Sequence, residues 1–174
     1  SWAVRPDSPY QTFADVVEAA KANPGKLTIS TSGAGGQWHE VAAVIAYSAG
    51  IELKYVPYSS GQRATLAVLN GEVDIGGGGI HEHIQFIDSD QLILLQQSGL
   101  TDMETPNGKI MPSLAPMLPE VQEQLPPNGT YNLGIRRDTP IEVIQQVEAA
   151  FIKAVNSDGF REAMAQRYFI TELK

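Results

Sequence analysis

The chain has 174 residues, 43% of them hydrophobic and 18% charged, with a formal net charge of −8 and no cysteine. That length carries one domain with a real core, or one domain plus a fragment of another. The acidic balance speaks against nucleic acid and anionic membrane as partners, and the missing cysteines exclude disulfides, thiolate nucleophiles and zinc–sulfur sites.

Trp2–Arg5 alternates like a strand met in its middle, and Pro6 stops it. Thr12 is placed to cap a helix whose apolar face is Phe13, Val16, Val17 and Ala20, closed by Asn23-Pro24-Gly25. Lys26–Thr31 reads as a short strand, since Leu27 and Ile29 alternate with polar neighbours. Ser32, Gly33, Ala34, Gly35 and Gly36 follow, a run able to take φ > 0 and to bring bare backbone close to a ligand. Trp38, Val41, Ala42, Ile45, Ala46 and Ala49 then recur at helical spacing until Gly50. Strand, glycine-rich turn and helix N-terminus together aim free N–H groups and the positive end of a helix dipole at an anion. A tight βα turn with no ligand has the same signature. Trp38 stands where the third glycine of G-x-G-x-x-G would be, and no Lys-Ser or Lys-Thr pair follows the glycines. A small carboxylate is therefore expected rather than a nucleotide phosphate.

Leu53–Val56 reads as the next strand, ended by Pro57. Tyr58-Ser59-Ser60-Gly61-Gln62 makes a second polar turn ahead of a helix over Arg63–Leu69, which Asn70-Gly71 stops. Val73–Ile75 is a short strand running into Gly76–Gly79, and Ile80–Ile87 a helix with Ile80, Ile84 and Ile87 on one face. Gln91–Gln97 reads as a fully buried strand. Ser98–Asn128 is rich in proline and polar residues, which predicts loops around one short helix near Pro119–Leu125. Tyr131–Ile135 reads as a further strand. Thr139-Pro140-Ile141-Glu142 spells a capping box with proline at the first helical position, and its helix carries Ile144, Val147 and Phe151 on one face. Ser157 caps a last helix, Asp158–Arg167. The alternation predicts an α/β fold with a largely parallel sheet flanked by helices.

Two turns, Ser32–Gly36 and Ser59–Gln62, each follow a strand and precede a helix, so they are expected to converge at the carboxyl edge of the sheet. Ser32, Gly33, Ala34, Gly35, Gly36, Ser59, Ser60, Gly61 and Gln62 are the candidate donors. His39 either donates to the ligand or packs beside the loop, and Arg63 either clamps a carboxylate or is a solvated surface charge. Asp74 is expected to brace a turn. His81-Glu82-His83, with His39-Glu40, invites a metal. Histidines two apart share no helix face, however, and H-E-x-x-H is absent. The leading reading is a binding protein with no cofactor, no metal and no catalysis. The alternative is a small metal- or acid/base-dependent hydrolase using His39, His81 and His83; no G-x-S-x-G elbow accompanies it.

The motifs in order resemble the extracytoplasmic solute-binding receptors of the tripartite tricarboxylate transporter family. The matching residues are Val4-Arg5-Pro6-Asp7-Ser8-Pro9-Tyr10, Ala22-Asn23-Pro24-Gly25-Lys26-Leu27, Ser32-Gly33-Ala34-Gly35, His39, Gly50-Ile51, Val56-Pro57-Tyr58, Gly61, Leu69-Asn70-Gly71-Glu72-Val73-Asp74 and Thr139-Pro140. The resemblance implies a periplasmic-binding-protein-like fold of two lobes that close on a carboxylate and deliver it to membrane permease subunits outside the cytoplasm. It also implies that residues 1–136 correspond to the second lobe and 137–174 to a helical segment that returns towards the first. The N-terminal lobe and signal peptide of a full member would then lie outside this chain. Such a chain is expected to leave Ile144, Val147 and Phe151 partly exposed and prone to self-association. Gly36-Gln37-Trp38 departs from the family, which more often has small residues or proline before the histidine, so that Trp38 would narrow the pocket or stack on the ligand. Gly76–Gly79 replaces a more apolar stretch.

Overall fold

Alternating and helically spaced apolar residues set the elements of the computed structural model, which describes residues 1–125 and 133–166. The chain divides into two units, Ser1–Asn128 and Gly129–Lys174. The first holds β1 (Trp2–Val4), α1 (Phe13–Ala22), β2 (Thr28–Ser32), α2 (Gln37–Ser48), β3 (Lys54–Tyr58), α3 (Gly61–Leu69), β4 (Ile75–Gly77), α4 (Ile80–Asp88) and β5 (Ile93–Gln96). A hairpin of β6 (Met103–Glu104) and β7 (Ile110–Met111) and a 3-10 turn at Pro119–Glu123 follow. The second unit holds α5 (Ile141–Val155) and α6 (Asp158–Ala165).

The sheet order is β3-β2-β4-β1-β5. β2 pairs in parallel with β3 and β4, while β1 runs antiparallel to both β4 and β5. Four strands therefore share one direction and only β1 opposes them. One face carries the main apolar cluster, in which Trp2, Val4, Ile29, Ile75 and Leu95 meet Phe13, Val16, Ile45 and Leu114. On the other, α3 and α4 bury Ala64, Ala67, Val68, Ile84 and Ile87. α1 starts as its sequence directs: Thr12 Oγ1 accepts from Asp15 N at 3.2 Å and Asp15 Oδ2 accepts from Thr12 N at 2.8 Å. The N–H groups of Gln11 and Thr12 hold the Asp15 carboxyl below the usual carboxylate range.

Several boundaries differ from the sequence reading, each for a local reason. Pro57 does not end β3; it lies inside the strand opposite Thr31. β3 is at the sheet edge, where a missing N–H breaks no ladder. Gly61 and Gln62 belong to α3 rather than to a turn, because the Ser60 hydroxyl caps the helix two residues earlier than expected. Gly76 and Gly77 lie within β4, so the glycines extend the strand rather than follow it. Close packing explains them. A Cβ on Gly76 would stand 2.7 Å from Val68 Cγ1, and one on Gly77 2.7 Å from the Ser30 carbonyl oxygen.

At the start of α5 the capping box does not form. Pro140 takes the cap position itself with ψ 140°, which moves the helix start one residue along and Glu142 out of box register. Residues 133–135 are not in a strand; Tyr131, Asn132 and Arg167 lie outside the described residues. Ser157 caps α6 through Phe160 N at 3.3 Å. Within α5, Phe151 is 39% exposed, and Ile144 and Val147 are half-buried.

The β6–β7 hairpin, absent from the sequence reading, pins the far end of α4. Lys109 Nζ donates to the carbonyls of Ile87 at 2.7 Å and Asp88 at 3.0 Å and pairs with Asp90, whose φ is 59°. A cation on orphan C-terminal carbonyls also complements the helix dipole. Lys109→Ala should lower the unfolding free energy by about 1–2 kcal/mol, discounted for partial exposure, as read from a urea titration. Lys109→Arg should recover part of it, and an unchanged midpoint for the alanine variant would remove this role.

Candidate functional site

β2, β3 and β4 run side by side in one direction, so the helices that follow them start at the same edge of the sheet. Beyond Ser32 the backbone turns through Gly33 at φ 75° and Gly35 at φ 70°, conformations that L side chains rarely adopt. Gly33 N donates to Tyr58 O at 2.8 Å, which ties this turn to the end of β3. Gly36 has an ordinary φ of −78°, and what it needs is space: a Cβ there would stand 2.7 Å from the Ser32 carbonyl oxygen. Gly36 also caps α2 without any side-chain hydrogen bond. The first N–H groups of α2 thus lack a side-chain acceptor from the cap residue, at the positive end of a twelve-residue helix.

The neighbouring helices begin differently. Ser60 Oγ accepts from Arg63 N at 3.2 Å, so α3 satisfies one of its own donors. Ser59, Ser60, Gln62 and Arg63 are exposed around that start. Gly79 caps α4, and its N–H donates to Glu82 Oε2 at 2.7 Å. The three starts are in contact: a Cβ on Gly79 would stand 2.9 Å from Trp38 Cζ2, and one on Gly61 would collide with the Glu82 carboxylate. Trp38 and His81 lie across this edge with ring centroids 6.5 Å apart.

The structure brings Ser32–Gly36 and Ser59–Gln62 to one edge, as the sequence reading expected of two βα junctions on adjacent strands. It adds a third junction, Gly79–Glu82. The signals for it were Gly76–Gly79 and the glutamate three residues after Gly79, which the sequence alone presents as the end of a strand and as part of the His81-Glu82-His83 cluster. His39 is committed locally: its Nδ1 accepts from Gly35 N at 3.3 Å, and its ring stacks on Tyr55 at 4.7 Å. Asp74 braces the opposite end of β2, taking Thr28 N at 2.8 Å and Thr28 Oγ1 at 2.6 Å on one oxygen.

The three histidines differ in setting. His83 is 1% exposed, its ring under Gly76 and Gly78. Burial pushes its pKa down to about 3, helped by the neighbouring His81. A neutral, enclosed imidazole is poorly placed to act on a ligand at the open edge. Among the described residues no group of three His, Asp or Glu is arranged to hold a metal ion. Two surface cavities, about 330 Å³ beside Tyr47 and Tyr55 and about 140 Å³ beside Arg5 and Asp74, include none of the Ser32–Gly36 turn.

The model of the tripartite tricarboxylate transporter family receptors matches residues 1–170. The UPF0065 protein in the gbd 5′ region of Cupriavidus necator is 27% identical over 160 residues, covering 92% of this chain and 47% of its own length. The UPF0065 protein in the tcbD–tcbE intergenic region of Pseudomonas sp. (strain P51) is 26% identical over 168 residues, covering 92% of this chain and 46% of its own. The chain thus spans about half the length of these relatives. Among solved structures, MatC from Rhodopseudomonas palustris with bound malate superposes with a TM-score of 0.78 at 16% identity, over 98% of this chain and 56% of that one. An R. palustris protein with adipate gives 0.75 at 17% identity, over 95% and 54%. At these identities the superpositions establish the fold.

Proposed function

The chain belongs to the tripartite tricarboxylate transporter receptor family, and from that premise we propose that it is part of a solute-binding receptor capturing a small carboxylate for membrane permease subunits outside the cytoplasm. The observation that carries this reading is the start of α2, where a glycine turn and an N-cap without a side-chain acceptor leave N–H donors open at the carboxyl edge of the sheet. The ligands of two structural neighbours, malate and adipate, belong to the same chemical class. Residues 1–136 would form one lobe of the receptor, and 137–174 the segment that returns to the other. Closure of the other lobe over it would then exclude water and strengthen each hydrogen bond.

A hydrogen bond to a charged group contributes about 1.5–3 kcal/mol. Micromolar affinity needs about 8 kcal/mol, so a handful of such donors suffices. The net charge of −8 opposes an anion at long range, which makes these local N–H groups the source of the attraction. In a thermal-shift panel on the whole protein that carries this chain, small carboxylates at about a hundredfold excess over Kd should raise the melting temperature by on the order of 5 °C. Neutral sugars and nucleotides should leave it unchanged. Stabilisation by sugars or nucleotides without any by carboxylates would overturn the reading.

A further inference from the structure

Three helices of the first unit carry, at their third position, a side chain that reaches back and accepts a backbone N–H ahead of the helix. In α1 it is Asp15, which accepts from Gln11 N at 2.9 Å and Thr12 N at 2.8 Å. In α4 it is Glu82, which accepts from Gly79 N at 2.7 Å. In α2 it is His39, whose Nδ1 accepts from Gly35 N at 3.3 Å. The chemistry of the third differs from that of the other two. A carboxylate accepts throughout the neutral range, whereas an imidazole nitrogen accepts only while it is unprotonated.

Because Gly35 N–H is the donor, Nδ1 must hold the lone pair and Nε2 the proton. The ring is held in this setting by its stack on Tyr55, with centroids 4.7 Å apart. Tyr55 is the titratable group that β3 presents to it, and burial raises the phenol pKa, so the stack stays uncharged. On its own helix the exposed Glu40 comes next, and the Ser32–Gly36 turn holds no titratable side chain. Protonation of Nδ1 sets one N–H against another and puts a cation at the positive end of α2. Gly35 is exposed, so water takes over its N–H. Gly33 N stays tied to Tyr58 O at 2.8 Å, which confines the release to the Gly35 side of the turn.

We infer that His39 is a pH-sensitive latch on the Ser32–Gly36 turn: the neutral imidazole holds Gly35, and the protonated one lets it go. The latch is closed above the imidazole range and opens as pH falls through it, between about pH 8 and pH 5. This is a property of the turn itself and does not depend on which ligand the turn receives.

Nuclear magnetic resonance on the whole protein that carries this chain, labelled with nitrogen-15, tests it. At the alkaline end of that range the His39 ring should show an unprotonated Nδ1 and a protonated Nε2. On acidification the Gly35 amide should titrate with the same midpoint as the His39 ring. Its protection against hydrogen exchange, corrected for the intrinsic pH dependence, should fall about fivefold, the loss of a bond worth about 1 kcal/mol. The Gln11 and Thr12 amides, held by a carboxylate, should not follow that midpoint. His83 should stay silent over the same range, since burial keeps it neutral down to about pH 3. His39→Phe, which keeps the stack on Tyr55 and removes the acceptor, should leave Gly35 unprotected at every pH. A proton on Nδ1 at the alkaline end, or a Gly35 amide indifferent to the His39 titration, would overturn the latch. Both of these are read on the unmutated protein, so they decide the matter even if the phenylalanine variant does not fold.

Discussion

Ile29→Ala should lower the unfolding free energy by about 3–4 kcal/mol, a large share of the roughly 5–15 kcal/mol typical of a domain. Ile29 is fully buried in β2, opposite Tyr55 on one side and Ile75 on the other. Its side chain also fills the space left by the missing Cβ of Gly77, with Cδ1 3.1 Å from where that atom would be. A truncation there leaves a cavity walled by two flanking strands, and paired backbones cannot close in to fill it. Ile29→Val removes a single methylene and should cost only about 1 kcal/mol. Chemical denaturation of both variants gives the comparison. A cost under about 1 kcal/mol for the alanine variant would mean that Ile29 is not at the centre of this core.

Gly36→Val should do the opposite, weakening carboxylate binding about a hundredfold while changing unfolding free energy far less. A hundredfold loss corresponds to about 2.7 kcal/mol, or one to two charge-assisted hydrogen bonds. The backbone of Gly36 tolerates a side chain, with φ −78° and ψ 167° in the extended region. The obstruction is the Ser32 carbonyl oxygen, 2.7 Å from the added Cβ. That oxygen is main chain, so relief must come from moving the turn, and the turn carries the donors at the start of α2. Gly36→Ala should give a smaller loss in the same direction, since its Cβ meets the same oxygen without the γ-methyls. Calorimetric titration with the tightest-binding carboxylate, beside a urea curve, separates affinity from stability. Unchanged affinity for the valine variant would place the ligand away from this turn.

The elements legible in the sequence are those whose information is local. Thr12 and Asp15 are three residues apart, and the box they spell is the one that forms. The stripe of α2 through Ala42, Ile45 and Ala46 is the buried one, because a 3.6-residue period fixes which side chains share a face whatever they pack on. The Ser32–Gly36 turn was legible for the same reason: two of its glycines take positive φ, a property of the residue alone. Nucleotide motifs were excluded by spacing, and the series of short motifs pointed to the family.

What only the tertiary structure decided is whatever depends on a neighbour distant in sequence. Pro57 reads as a strand terminator, yet it sits within β3, because only the sheet order makes that strand an edge. Thr139 and Glu142 spell a box that Pro140 dissolves by taking the cap itself. Gly61 resembles a turn glycine, but the space it leaves is filled by Glu82, twenty-one positions later in the chain. The third helix start at the candidate site was hidden in the same way. A run of glycines states that something approaches closely, and the sequence does not name what approaches. Backbone preference is carried by each residue, whereas the shape of a site is set by non-local contacts that the hydrophobic burial of the whole sheet brings together.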